Sequence, residues 1–141
     1  MKKVPLEIIV PIYNEGRNIL KLFEFFEDFV KTEFRILLCY DLENDNVFNF
    51  KNDFKKFSFE ILFVKNPSKG PSSAIKAGMN FGNSDCVIVY PADDFLNYTI
   101  IDKMYDSYKK NNHIVVASRF MKGGSMKGCP FIKSVLVRVA S

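Results

Sequence analysis

Five short apolar segments, separated by longer stretches, constrain the fold of this chain more than any other feature of its sequence. They are four to seven residues long and rich in Ile, Val, Leu and Phe. Segments of this length that are apolar on both faces are typical of parallel strands covered by helices. The predicted strands span residues 6–10, 34–40, 59–64, 86–90 and 114–117.

Apolar residues at helical spacing lie between these strands. The clearest pattern is Ile19, Leu22, Phe23, Phe26, Phe29 and Val30, a sparser one is Val47, Phe50, Phe54 and Phe57, and a third is Ile101, Met104, Tyr105 and Tyr108. An alternation of strands and helices at this spacing predicts right-handed crossover connections, and hence a mostly parallel sheet with helices on both faces. We therefore predict an α/β fold whose ligands bind beyond the carboxyl ends of the strands, where the strand order reverses.

Length and composition are those of one globular domain over residues 1–141. The chain is 48% hydrophobic and 26% charged, which excludes a disordered protein. No apolar run approaches the roughly 20 residues that span a bilayer, and the N-terminus lacks a signal-peptide core, so we expect a cytoplasmic protein. Three cysteines far apart indicate neither a disulfide framework nor a zinc site, and Cys39 and Cys86 are interpreted as core residues.

Positive charge is concentrated near the end of the chain. Residues 119–141 carry five bases and no acid, so they hold +5 and the rest −1 of the net charge of +4. Apolar residues fall there at helical spacing: Phe131, Ile132, Val135, Leu136 and Val139. This pattern fits a helix at a membrane surface and equally an ordinary packing helix, and the sequence leaves both open.

The loops after the predicted strands hold the candidate ligand-binding residues. Most of them combine acids, or bases with glycine, which suits a phosphorylated, metal-bearing ligand; the loops span residues 11–15, 41–46, 65–71, 91–97 and 119–128. Each has a structural alternative. Asn14 and Glu15 also fit the start of a helix, and Asp45 fits a helix cap. Residues 68–70 also fit an ordinary polar turn, and they do not match the Walker motif.

Asp93 and Asp94 stand three and four residues after the end of the fourth predicted strand. Asn97 and the pair Thr99 and Asp102, which has capping-box spacing, are expected to cap the next helix, so the two acids are not needed for that role. Adjacent free carboxylates repel each other unless a cation is bound. Since Mg²⁺ is commonly held by one or two carboxylates and substrate phosphates, we predict a divalent metal at these two residues.

Taken together, the motifs resemble those of the family 2 glycosyltransferases of the GT-A fold, especially the branch of dolichyl-phosphate mannose synthase and bacterial polyprenyl-phosphate glycosyltransferases. Residues 9–15 (IVPIYNE) resemble the opening "V-P-x-Y-N-E". Lys69, Gly70, Ala74 and Gly78 stand where the family has "G-K-G-x-A-x-x-x-G". Residues 91–94 (PADD) resemble its "D-x-D" metal motif, and residues 118–124 (SRFMKGG) its "S-R-F-x-x-G-G".

The resemblance implies a Rossmann-like GT-A fold and an inverting glycosyltransferase that uses Mg²⁺ or Mn²⁺ and a UDP- or GDP-linked sugar. It implies metal binding by Asp93 and Asp94, and catalytic roles for both and for Arg119, which would bind a phosphate. The implied donor-binding residues are Pro11, Tyr13, Asn14, Glu15, Asp41, Lys69, Gly70, Ala92 and Asp93. The implied acceptor is a polyprenyl phosphate or a glycan in cell-envelope synthesis. With the basic residues 119–141, a lipid phosphate or the inner face of a membrane is favoured as partner, and no nucleic acid is expected.

Three departures from the family pattern qualify these roles. Residues 40–43 (YDLE) replace the family's base-reading "D-D-G-S", and Pro91 replaces the first Asp of "D-x-D". Relatives also run longer, so residues 1–141 are expected to be the N-terminal, donor-binding portion of a domain whose C-terminal part is missing. We expect this portion to bind donor weakly and not to transfer sugar alone.

Two other classes of protein stay open as alternatives, and the same loops distinguish them. A nucleotidyltransferase of related fold would carry a Gly-rich phosphate loop after its first strand, where this chain has residues 11–15. A response-regulator-like domain needs an Asp after its third strand, where this chain has Lys65 and Asn66. A non-catalytic nucleotide-binding remnant remains open.

Overall fold

The computed structural model describes residues 2–118. Its strands are β1 (Leu6–Ile12), β2 (Phe34–Tyr40), β3 (Glu60–Lys65) and β4 (Val87–Val89). Its α-helices are α1 (Asn18–Phe29), α2 (Pro71–Phe81) and α3 (Ile101–Lys109), and short 3₁₀ helices span Asn46–Phe50, Asp53–Lys56 and Tyr98–Ile100. The strands form one parallel sheet in the order β3-β2-β1-β4. The predicted α/β fold with a parallel sheet is confirmed, and so are the first four predicted strands.

Side chains of β1 alternate between two apolar layers. Ile8 and Val10 lie in one cluster with Phe23 of α1, whereas Ile9 lies in a second cluster with Ala74 of α2. Successive side chains of a strand point to opposite faces, so α1 and α2 cover opposite faces of the sheet. The prediction of helices on both faces is confirmed.

Helix α2 approaches the sheet closely at Gly78. A Cβ atom at this position would lie 2.9 Å from Cys39 Sγ and 2.9 Å from Ile9 Cγ2, so only glycine fits without displacement. Cys39 and Cys86 are both buried, which confirms their interpretation as core residues. Burial raises the pKa of the Cys39 thiol to about 12, which keeps it protonated and unreactive.

The predicted helix over residues 47–57 is wrong in type, because two 3₁₀ helices occupy this segment. Its aromatic side chains still pack on α1: the ring centroids of Phe54 and Phe57 lie 5.4 Å and 5.5 Å from that of Phe23. Anchors three or four residues apart satisfy either type of helix, so the apolar pattern did not distinguish them.

The predicted fifth strand, residues 114–117, is also wrong within the part of the chain that the structure describes. These residues have no ladder partner there, and Ile114 and Val116 are 84% and 72% exposed. Alternating apolar residues form a strand only when a neighbouring strand accepts and donates the backbone hydrogen bonds.

A buried ion pair lies at the amino ends of the strands. Glu7 and Arg35, which are register partners on β1 and β2, are both fully buried. Arg35 donates from Nη2 to Glu7 Oε1 and to Asn83 Oδ1 (2.6 Å), and from Nη1 to Glu60 Oε2 (3.2 Å). Glu7 Oε2 also accepts from the backbone N–H groups of Asn83 (3.1 Å) and Ser84 (3.2 Å). The pair therefore fixes the α2–β4 connection to the sheet.

Among residues 2–118, no helix is long and apolar enough to cross a membrane. Arg119 and the apolar pattern over residues 131–139 lie outside the described residues.

Candidate functional site

The strand order places the candidate site between β1 and β4. The chain moves outward from β1 to β2 and β3, then returns to pair β4 with the other side of β1. In open α/β sheets such a reversal opens a crevice beyond the carboxyl ends of the strands. The β1–α1 loop and the loop after β4 border this crevice.

Glu15 lies there within electrostatic range of two other carboxylates, those of Asp93 and Asp45. Burial raises the pKa of Glu15 above its ordinary value, and the negative charges of Asp93 and Asp45 raise it further, whereas a hydrogen bond from the Tyr13 backbone lowers it. Glu15 is therefore close enough to both acids for their charges to act on it, although the three lie far apart in sequence. The structure thus brings Glu15 and Asp93 to one edge of the sheet.

Asp93 is the acid of the PADD segment that remains available to a ligand. Its side chain is exposed and accepts no hydrogen bond from residues 2–118. Ala92, immediately before it, is only 4% exposed and anchors the segment in the apolar core. A buried anchor beside an exposed carboxylate limits how far the carboxylate can move.

Asp94 is engaged in the turn that follows. Its Oδ1 accepts from the backbone N–H of Leu96 (2.9 Å) and of Asn97 (3.0 Å), and its Oδ2 accepts from Asn97 Nδ2 (2.7 Å). The Tyr90 hydroxyl donates to the Asp94 carbonyl at 2.9 Å, which ties the turn to the end of β4. Asp94 therefore shapes the loop that presents Asp93.

The predicted capping box at Thr99 and Asp102 is wrong. Asp102 instead accepts from the backbone N–H groups of Lys31 (3.0 Å) and Thr32 (3.0 Å) and from Thr32 Oγ1 (2.7 Å). The side chain of Asn97 makes no cap hydrogen bond either. The Asn97 side-chain amide donates to Asp94 instead, so Asp94, which the sequence predicted to be free for a metal, accepts the hydrogen bonds of this turn.

The β1–α1 loop adopts a left-handed turn and not a helix start at Asn14. Asn14 and Gly16 have φ angles of +58° and +56°, and α1 begins only at Asn18. The Asn14 backbone N–H donates to Asp45 Oδ2 at 2.8 Å. Asp45 Oδ1 accepts from Val47 N at 2.9 Å, so the predicted capping role of Asp45 is confirmed, on a 3₁₀ helix.

Asp41 joins the loop after β2 to the β3–α2 loop. Its Oδ1 accepts from Asn66 Nδ2 (2.6 Å) and its Oδ2 from Gly70 N (2.8 Å). Asn66 is 3% exposed, and its Oδ1 accepts from Ser68 N (3.1 Å) and Ser73 Oγ (2.7 Å). Sequence reasoning missed Asn66 as a site residue, although an Asn directly after a buried strand was a signal for a loop-forming amide.

The remaining predicted donor-binding residues lie on the same edge of the sheet. Pro11 is within β1, and Tyr13, just beyond β1, is 62% exposed. Gly70, at φ +98°, occupies the N-cap position of α2, a conformation that favours glycine. The side chain of Lys69 is exposed and makes no hydrogen bond or ion pair with residues 2–118, Asp93 included.

The donor atoms fit a metal ion only if a ligand completes its coordination. Among residues 2–118, no group of three or more His, Cys, Asp or Glu side chains could hold an ion alone. Asp93 offers one free carboxylate, and Glu15 is within range of its charge. Mg²⁺ is usually bound by one or two carboxylates and by substrate phosphates, which matches this set.

A parallel sheet with polar loops gathered at a reversal of strand order defines a doubly wound α/β protein with a ligand-binding crevice. The chain belongs to glycosyl transferase family 2, whose family model matches residues 7–133. The resemblance derived from the motifs is thereby confirmed.

Two curated relatives extend the comparison. Over 137 residues the chain is 25% identical to a dolichol-phosphate mannosyltransferase of Pyrococcus furiosus, covering 96% of this chain and 39% of that protein. Over 126 residues it is 25% identical to the poly(ribitol-phosphate) beta-N-acetylglucosaminyltransferase TarS of Staphylococcus aureus, covering 87% of this chain and 22% of that protein. The chain thus spans at most about two fifths of the length of these relatives.

Two solved structures share the fold. One is S. aureus TarS 1–349 in complex with UDP-GlcNAc, with a TM-score of 0.58 and 20% identity, covering 77% of this chain and 32% of that chain. The other is S. aureus TarS 1–349, with a TM-score of 0.59 and 20% identity, covering 83% and 40%. The predicted GT-A-like architecture is confirmed by this similarity.

Proposed function

We propose that the protein containing this chain is a glycosyltransferase that transfers a sugar from a nucleotide-sugar donor, and that residues 2–118 provide most of its donor-binding part. The observation that carries the proposal is that Glu15 and Asp93 follow the neighbouring strands β1 and β4, at the strand-order reversal of a family 2 chain, within electrostatic range of each other. Both residues come from motifs that resemble the family's donor-binding motifs. Their common location is what a shared donor site requires.

Asp93 is the proposed principal ligand of Mg²⁺ or Mn²⁺. Asp94 is secondary, because two turn N–H groups and the Asn97 amide already bind its carboxylate. When bound with the donor, the metal supplies positive charge that stabilises the leaving diphosphate. The negative charges of Asp93 and Asp45 both disfavour the ionised form of Glu15, and a bound cation would relieve this repulsion.

The other residues bind and orient the donor in this proposal. Glu15 and Asp41 contact the nucleoside, and Lys69 contacts the donor's charged part. Tyr13, Pro11, Asn14 and Gly70 form the surfaces of the loops that enclose it, and the buried Ala92 holds the PADD segment in place. Arg119, outside the described residues, is assigned to a phosphate.

Donor and acceptor classes follow from the relatives and from charge. The TarS structure with UDP-GlcNAc supports a UDP-linked sugar, and a GDP-linked sugar is the other candidate. The dolichol-phosphate mannosyltransferase supports a lipid-phosphate acceptor, and the five bases among residues 119–141 support contact with an anionic membrane surface at its cytoplasmic side. A lipid monophosphate is already anionic near pH 7, since its second pKa is about 6, so direct attack with inversion needs no general base.

A thermal-shift panel tests the proposal. The chain is heated with UDP-, GDP- and dTDP-sugars, each with and without Mn²⁺. A donor present at 100 times its Kd adds about 2.7 kcal/mol to the free energy of unfolding. We expect one nucleotide class to raise the melting temperature, and more so with Mn²⁺. No shift with any donor would refute donor binding, and a shift that Mn²⁺ does not change would refute the metal site.

A further inference from the structure

We infer that Asp45 and Asn46 are positioning residues that hold the β1–α1 loop in its nucleoside-binding conformation. The inference rests on the proposed function, because it concerns how the loop carrying Tyr13 and Glu15 is placed for the donor. Neither residue belongs to a motif from which a donor role was derived.

The β1–α1 loop needs an external support. Asn14 and Gly16 both have left-handed φ angles, +58° and +56°, on either side of Glu15. L-residues other than glycine adopt this conformation at a cost, although asparagine tolerates it better than most. Residues on both sides of Glu15 must therefore be kept in an uncommon backbone conformation for its carboxylate to reach the crevice.

The segment after β2 supplies that support through three side-chain atoms. Asp45 Oδ2 accepts from Asn14 N at 2.8 Å, and Asn46 Nδ2 donates to Asn14 O at 3.2 Å. Asn46 Oδ1 accepts from Gly16 N at 2.7 Å. The backbone N–H and C=O of Asn14 and the N–H of Gly16 are thus all bound by two adjacent side chains from a different loop.

The support is itself rigidly mounted. Asp45 is 2% exposed, and its second oxygen accepts from Val47 N at 2.9 Å at the start of a 3₁₀ helix. Val47 is fully buried in the core. Because Asp45 is almost fully buried, it does not reach a ligand in the crevice, and its hydrogen bond to the donor site is made through the loop.

The distinguishing variants are Asn46→Ala and Asn49→Ala. Asn46 is exposed, so its truncation removes two loop hydrogen bonds without opening the core. Asn49 lies on the same 3₁₀ helix, and its exposed side chain makes no hydrogen bond with residues 2–118, so it is the matched control. The full 141-residue chain is titrated with uridine, UDP, guanosine and GDP by NMR, which also detects weak binding.

We expect Asn46→Ala to weaken the preferred nucleoside and its diphosphate by the same factor, about tenfold, while Asn49→Ala leaves both unchanged. A general loss of stability would also weaken both ligands equally, but it would appear as an unfolded population in the NMR spectrum of the free variant. Amide exchange at Asn14 and Gly16 should also be faster in Asn46→Ala alone. Unchanged affinity in Asn46→Ala, or a loss confined to the diphosphate, would overturn the positioning role while the proposed function stands. If the unaltered chain binds none of the four compounds, the proposed function fails and the positioning role fails with it.

Discussion

Replacing Arg35 by Met should destabilise the fold by about 3–5 kcal/mol, because it leaves the buried Glu7 carboxylate without its cationic partner. Both side chains are fully buried, so water cannot compensate for the lost charge. Arg35 also donates to Asn83 Oδ1, Glu60 Oε2 and the Lys2 carbonyl, and these three contacts are lost as well. The estimate is a large part of the roughly 5–15 kcal/mol that stabilises a typical domain.

The double variant Arg35→Met with Glu7→Gln separates the charge from the packing. Glu7 Oε2 accepts hydrogen bonds from the backbone N–H groups of Asn83 (3.1 Å) and Ser84 (3.2 Å). A glutamine at position 7 keeps an oxygen that can accept these bonds, but it carries no charge. We therefore expect the double variant to be more stable than Arg35→Met alone, although Glu7 has also been changed.

Urea unfolding of each variant, followed by circular dichroism, measures these differences. Lys3→Met is the control, because Lys3 pairs with Asp85 at 2.7 Å while both side chains are largely exposed, 59% and 72%. Exposed pairs contribute about 1 kcal/mol or less. An Arg35→Met cost no larger than that of Lys3→Met, or a double variant less stable than Arg35→Met, would refute the reasoning.

Three further predictions concern the site and its support. In calorimetry, Asp93→Asn should abolish the Mn²⁺-dependent part of donor binding. Asp94→Asn should weaken it less, because an amide oxygen can still accept the hydrogen bonds of the two N–H groups of the turn. Equal metal-dependent affinity in wild type and Asp93→Asn would contradict the proposed metal site. Gly78→Ala should cost about 1–3 kcal/mol in urea unfolding, because its Cβ would lie 2.9 Å from Ile9 Cγ2, and an unchanged midpoint would contradict that close approach. Because the pKa of Glu15 is raised, the folded chain binds more protons than the unfolded chain between pH 4.5 and the raised pKa, so stability is lost as the pH rises through this window. Glu15→Gln should remove this loss. If the free energy of unfolding of the two proteins depends on pH in the same way, the prediction is contradicted.

The sequence was informative wherever short-range pattern decides structure. Apolar runs such as residues 34–40 predicted strand positions, and the Ile19–Val30 pattern predicted α1. The spacing of apolar residues indicates which strands, and which faces of helices, are buried. The same spacing could not separate a 3₁₀ helix from an α-helix at Val47. It also could not show that residues 114–117 lack a neighbouring strand within the described residues, because pairing depends on a second segment.

What the sequence by itself determined is the α/β architecture and the loops in which ligand-binding residues occur. The tertiary structure decided which of those residues are available to a ligand. Asp93 and Asp94 are adjacent residues of the same type, so the sequence does not distinguish them. In the structure Asp93 is free for a ligand, whereas the carboxylate of Asp94 accepts hydrogen bonds from the turn it forms. The hydrogen bonds between Asp45 and Asn14 and between Asn66 and Asp41 each join residues more than 20 positions apart in the sequence. Such hydrogen bonds depend on distances and directions that exist only after β1, β2 and β3 have paired, and local residue patterns carry no information about them.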